Sequence, residues 1–302
     1  MQLCVGAVSR RVVEVAAMLE VAQIVASRRQ VDGDRGYIDW TQRELVDIVR
    51  ELSGGKTLVV RDHGGPDQGW GGDDGTASFD ADVVAGFNGL HLDVCKLTGQ
   101  GRDYTTRTAV VRDLAERYIN AGVFLEVGGE HTPWDENREL AAAACGSGAN
   151  VRCVVADIGT HVWADSQIGA VRSHAVLQRQ YLEAMNLGLL LKAHNMDYIN
   201  RYHQYGLEGI VSMYNLAPEL AAVEIDALLM VLTGSQASDV LNIAYDKGEW
   251  RRWFETGEGT WFQRARCGAR YILETPEVRR LKITPGDEDF IRRRIADAIK
   301  HG

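Results

Sequence analysis

Short apolar runs alternate along this chain with stretches whose apolar residues recur at helical spacing. The runs fall at residues 2–5, 21–26, 58–60, 89–93, 122–127, 151–158, 187–193 and 209–214, and each reads as a buried strand. Between them, helical patterns follow Ser9 and occupy residues 43–52, a short stretch after Asp80, then 106–120, 135–144, 170–185 and 198–205. A last pattern at 218–232 carries Pro218 at its start, where proline is tolerated. Thr41 with Glu44 three residues on predicts a capping box at the start of the second helix.

Strands alternating with helices predict parallel α/β organisation, and eight is the number that closes a (β/α)8 TIM barrel. A doubly wound open sheet is the structural alternative. Residues 1–234 form the expected barrel. Beyond Gly234 the pattern changes to tryptophan- and arginine-rich helices, and residues 235–302 are expected as a C-terminal helical extension packed on the barrel. A segment of that length makes a marginal core by itself.

Composition narrows the partners. With 45% hydrophobic and 25% charged residues the chain has the balance of an ordinary globular protein, and its net charge of −9 argues against nucleic acid or an anionic membrane surface as partner. A small anionic substrate held by local arginines is compatible with that charge. No run of about 18 apolar residues predicts a membrane span, and the N-terminal stretch lacks the features of a signal peptide. The 5 cysteines form no CxxC pair, so a disulfide framework or a cysteine zinc site is not expected and the cytoplasm is the expected compartment.

The stretch 57–65, TLVVRDHGG, sets Arg61, Asp62 and His63 in series after a strand-like run. Alone it reads better as a loop whose Asp caps the following turn and whose His is solvated. In a barrel, however, the site forms at the C-terminal strand ends, and those ends are polar almost throughout: Ser27-Arg28-Arg29-Gln30, Arg61-Asp62-His63, His91 and Asp93, Glu126, Asp157 with His161, His194-Asn195 with Asp197, and Asn215. Three histidines from three strands, His63, His161 and His194, can converge on one Zn2+ or other divalent metal and leave positions open for substrate oxygens. His91 reads as a buried strand histidine and is left out of that set. Glu126 reads as a metal ligand, a partner orienting an imidazole, or a salt-bridged core acid. Arg28 and Arg29 read as a phosphate cradle or as rim residues, and the glycine-rich stretch 71–75 as a flexible lid.

Taken in order, these strand ends resemble the class II D-tagatose-1,6-bisphosphate aldolase family, most closely its non-catalytic, Z-type subunit. The residues that carry the likeness are Ser27-Arg28-Arg29-Gln30-Val31, Val60-Arg61-Asp62-His63-Gly64-Gly65-Pro66, His91-Leu92-Asp93, Lys192-Ala193-His194-Asn195-Met196-Asp197-Tyr198 and Asn215-Leu216-Ala217-Pro218-Glu219-Leu220. The likeness implies a zinc-dependent carbon–carbon lyase working through a metal-stabilised enediolate. It gives Asp62 the proton transfer, makes His63, His161 and His194 the zinc ligands, and sets Asn215 against the enolate-forming part of the substrate. Glu126, from its place at a strand end, joins Asp62 and Asn215 in the expected catalytic set. Substrate contacts are expected at Ser27, Arg28, Gln30, Arg61, Asp93, Asn195 and Asp197. Arg29 and Arg61 depart from the family pattern, and Asn195-Met196 replaces its glycine-rich phosphate loop, which points to an altered substrate. The substrate class implied is a ketose or ketose phosphate. Two alternatives accompany the aldolase reading: an accessory subunit partnering a separate catalytic aldolase chain, and a metal-dependent sugar epimerase. A homo-oligomer is the other partner expected.

Overall fold

The computed structural model describes residues 2–7, 10–33, 35, 36, 38, 40–68, 72–97, 104–129, 132–157, 174–193, 211–214 and 296. Eight strands lie within them: β1 (Gln2–Gly6), β2 (Gln23–Ala26), β3 (Leu58–Gly64), β4 (Gly89–Leu92), β5 (Phe124–Val127), β6 (Val151–Val155), β7 (Leu190–Ala193) and β8 (Val211–Tyr214). Each pairs in parallel with its sequence neighbour, and β8 returns to β1 with Gln2 opposite Val211 and Val5 opposite Tyr214, closing a barrel. That last pairing excludes the open sheet. The helices α1 (Arg10–Met18), α2 (Gln42–Ser53), α3 (Thr76–Ala85), α4 (Tyr104–Tyr118), α5 (Trp134–Gly146) and α6 (His174–Asn186) fill the connections between β1 and β7. The helices expected at 198–205 and 218–232 lie outside the described residues, as does the extension at 235–302 apart from Ala296. Among the described residues no helix is long and apolar enough to cross a membrane.

Period-two alternation sorts the strand side chains into two cores. One set, Leu90 and Leu92 of β4, Leu125 and Val127 of β5, Val154 of β6 and Leu191 of β7, packs outward against Phe79, Leu114, Tyr118, Leu140 and Ala184 from the helices. The other set points inward, where Cys4, Val25, Val60 and Cys153 form a buried cluster with Leu58, Phe124 and Leu190 against it. Gly89 belongs to this interior: a Cβ there would stand 2.4 Å from the Phe124 ring. Its absence lets the phenyl fill the barrel floor. Above that apolar plug the inward positions turn polar, with Asp62, His91, Glu126 and Lys192.

At the start of α2 the expected capping box is present: the Thr41 side chain accepts from the Glu44 N–H and the Glu44 side chain accepts from Thr41 N–H. The helix ends on Gly54 in the left-handed conformation, φ 60°. Strand β3 differs from its sequence reading. Instead of ending after Val60 it continues through Arg61, Asp62 and His63 to Gly64, whose carbonyl accepts from Asp93 N–H at 2.8 Å. Its register with β4 shifts between Arg61 and Gly64, the mark of a bulge.

Arg61 is accordingly corrected from a substrate contact to a core residue. Alternation sends its side chain outward into the layer between β3 and α3, where it is 0% exposed. Its Nε and Nη2 donate to the two oxygens of Asp82 on α3 at 2.7 and 2.5 Å, and Nη1 donates to the carbonyls of Ala26 and Val31 at 3.0 and 2.9 Å. One guanidinium thus fastens α3, β3 and the loop after β2 together. Burial opposes its charge, but the Asp82 carboxylate outweighs that and holds Arg61 above the ordinary arginine value.

Candidate functional site

Consecutive side chains on a regular strand face opposite sides, so Asp62 and His63 should not meet at one place. The bulge in β3 and the positive φ of His63, 44°, break that alternation. A non-glycine residue in this region is uncommon and marks a backbone held there by its surroundings. The result is that His63 Nε2 stands 3.9 Å from Asp62 Oδ2, at the C-terminal mouth of the barrel.

Asp93, just past β4, steers the His63 ring. Its Oδ2 lies 2.7 Å from His63 Nδ1, and its Oδ1 accepts from Cys95 N–H at 2.9 Å. With both oxygens engaged by protein and 1% exposure, Asp93 is corrected from a substrate contact to the carboxylate that orients an imidazole. With its proton on Nδ1 for Asp93, His63 presents the Nε2 lone pair toward Asp62. Two acceptors facing each other at 3.9 Å are too far apart for a direct hydrogen bond and are suited to holding a cation. The donor chemistry therefore fits a divalent metal with His63 as a ligand.

Among the described residues, His63, His91 and Asp93 also form a group whose ligand atoms all lie within 4.8 Å of one another. His91, however, is held by backbone on both sides. Its Nδ1 accepts from His63 N–H at 3.1 Å and its Nε2 donates to the Gly128 carbonyl at 2.6 Å. This ring braces the strained His63 backbone, and the geometry keeps it out of the ligand set. The other expected ligands, His161 and His194, lie outside the described residues, together with Asn195, Asp197 and Asn215.

Behind Asp62 sits a charge that the sequence reading passed over. Lys192, inward on β7 and 0% exposed, places Nζ 2.5 Å from Glu126 Oε2 and 3.6 Å from Asp62 Oδ1. Burial works to strip the proton from this amine; the Glu126 and Asp62 carboxylates outweigh it and hold Lys192 above the ordinary lysine value. Of the three readings open for Glu126, the ion pair with Lys192 is the one observed. Its Oε1 makes no hydrogen bond among the described residues. The signal in the sequence was a single lysine inside the apolar run Leu189-Leu190-Leu191-Lys192-Ala193, a position that buries its charge whichever way the strand faces.

The loop after β2 stands at the same mouth and is tied down internally. Gln30 Oε1 accepts from Ser27 N–H at 2.8 Å, and Gln30 is 4% exposed, so its expected substrate contact is corrected to a loop-closing hydrogen bond. Arg28 donates to Asp32 at 2.9 Å and to Asp73 at 2.7 Å, which anchors the stretch read as a lid to the β2 loop. Its Nη1 has no hydrogen-bond partner among the described residues. Asp32 accepts in addition from Gln42 and Ser78 at 2.8 and 3.2 Å.

The His63–Asp93 contact carries a pH signature. Burial works to raise the Asp93 carboxyl, but the hydrogen bond from His63 outweighs it and leaves Asp93 below the ordinary 3.8. A depressed carboxyl adds stability above its unfolded value and loses it as pH falls through the folded one. The difference in urea midpoint between the wild type and Asp93→Asn is therefore expected to be largest near neutral pH and to narrow as pH falls below 3.8. A gap that widens in acid would contradict this pairing.

No family model matches the chain. No curated protein matches it either. Among solved structures it is similar to a probable tagatose 6 phosphate kinase from Sinorhizobium meliloti 1021, at 20% identity over 96% of this chain and 86% of that one, with a TM-score of 0.55. It is also similar to the fructuronate-tagaturonate epimerase of Cohnella laeviribosi, at 13% identity over 99% of this chain and 79% of that one, with a TM-score of 0.51. At these identities the likeness shows a shared barrel fold.

Proposed function

We propose that this chain is a divalent-metal-dependent enzyme of the class II aldolase type that cleaves or forms a carbon–carbon bond in a ketose or ketose phosphate. The observation that supports it most is the convergence of Asp62 and His63 at 3.9 Å on a bulged strand, with the imidazole steered by Asp93. A bound zinc ion would supply electrophilic pull on a substrate carbonyl. His63 would hold that ion together with His161 and His194.

The chain's own groups do the rest. Asp62 offers Oδ2 at the mouth as the acceptor for a substrate hydroxyl proton, and its other oxygen faces Lys192 and His91, at 3.6 and 3.5 Å. Ser27 and Arg28, in the loop after β2, would take the polar or anionic end of the substrate, with Asn195, Asp197 and Asn215 as further contacts. Lys192 is protonated and clasped between carboxylates, which disfavours its use as an imine-forming amine. The names of the two structural relatives, a probable tagatose 6 phosphate kinase and a fructuronate-tagaturonate epimerase, support a sugar or sugar derivative as substrate.

The test is product analysis by NMR with free ketoses and ketose phosphates, with and without a chelator. Expected are two shorter sugar fragments whose formation stops on chelation and returns with zinc. An inverted sugar without fragments would replace this reading with the epimerase. No turnover, together with stimulation of a separate aldolase chain, would replace it with the accessory subunit.

A further inference from the structure

Asp62 uses its two oxygens differently. Oδ1 points into the barrel, 3.6 Å from Lys192 Nζ and 3.5 Å from His91 Nδ1, while Oδ2 is turned to His63. His91 cannot be what holds Oδ1, because its Nδ1 is the acceptor for His63 N–H and has no proton to give. Among the described residues the cation that faces Oδ1 is Lys192, at ion-pair distance and without a hydrogen bond. That lysine is itself located by Glu126, at 2.5 Å, from the strand that pairs with the one bearing His91. The order of side chains is thus Glu126, Lys192, Asp62, His63, running from the barrel interior to its mouth.

We infer that Lys192 is a positioning residue, whose ammonium, anchored on Glu126, holds the Asp62 carboxylate turned toward His63. Without that ammonium the buried Asp62 carboxylate would lose its counter-charge in a dry interior, and its side chain would be driven to rotate toward solvent. A displacement of about 1 Å at a reacting group costs on the order of 100-fold in rate. Lys192 therefore governs turnover through Asp62 and makes no contact of its own with substrate. This inference rests on the reading of Asp62 as the proton-transfer group, but its first test does not.

That test compares crystal structures of Glu126→Gln and the double variant Glu126→Gln/Lys192→Met. The double variant removes the charges as a pair, so no uncompensated lysine or glutamate threatens folding. Circular dichroism and a melting curve on each variant check this directly. In Glu126→Gln, where the lysine remains, Asp62 Oδ2 is expected to stay near its 3.9 Å separation from His63 Nε2. In the double variant it is expected to turn away by more than 1 Å. An unchanged Asp62 in both would overturn the inference and leave Lys192 as the counter-charge of Glu126 alone. A second arm measures ketose cleavage. The double variant is expected to show kcat about 100-fold below Glu126→Gln with KM little changed, and equal kcat in the two variants would also overturn it. If the wild type cleaves no ketose while Asp62 still turns in the double variant, the aldolase reading fails and the positioning role stands.

Discussion

Asp82→Ala is expected to destabilise the chain by about 3–5 kcal/mol, because it strips the partner from a guanidinium that has no route to water. Arg61 and Asp82 are both 0% exposed, and the remaining Arg61 donors go to the carbonyls of Ala26 and Val31, which fix the charge in place. A loss of that size lowers Tm by roughly 10 °C in a domain of this class. Arg61→Met/Asp82→Leu, which removes both charges and refills the space, is expected to recover most of it. Differential scanning calorimetry and urea unfolding read the pair. A single variant within about 1 kcal/mol of wild type would mean that Arg61 finds water or another partner. The same result would reopen a role for Arg61 at the mouth.

Asp62→Asn is expected to lower kcat for ketose cleavage by about 10²–10⁴-fold, the range for losing a positioned general acid–base group. The amide has the carboxylate's shape, so the fold and the contact with Lys192 are expected to survive, while the capacity to take a proton from a substrate hydroxyl does not. The change should fall on kcat, with KM altered only modestly. Wild-type kcat in this variant would place proton transfer on another group, and Glu126 would be the next to test.

The architecture was legible because its signals are local and repeated. Eight apolar runs at barrel spacing, and Thr41 with Glu44 before an amphipathic stretch, each state their structure in a few residues. Asp62 and His63 were found together because they are adjacent in sequence. Their chemistry was harder to read, since alternation alone would have separated them. The shift between Arg61 and Gly64 that reunites them depends on how β3 pairs with β4, which local pattern does not encode. The same shift explains why Arg61, although beside the site in sequence, belongs to the helix layer with Asp82. Lys192 was missed for another reason. Its partner Glu126 is 66 positions away, and a buried charge is interpretable only once its counter-charge is known. Asp93 shows the reverse error, a carboxylate near a mouth assigned to substrate when a ring 2.7 Å away already claimed it.

The central claim is that His63, steered by Asp93 and faced by Asp62, binds a divalent metal. Elemental analysis of the purified wild type and of His63→Ala, both refolded or reconstituted with zinc and dialysed to equilibrium, tests it most directly. Wild type is expected to hold about one zinc per chain, and His63→Ala, folded by circular dichroism, to lose it. Asp93→Asn is expected to fall between them, weakened about 10–100-fold in affinity as the ring loses its orienting partner. Zinc retained by His63→Ala at the wild-type level, or absent from the wild type after reconstitution, would contradict the account.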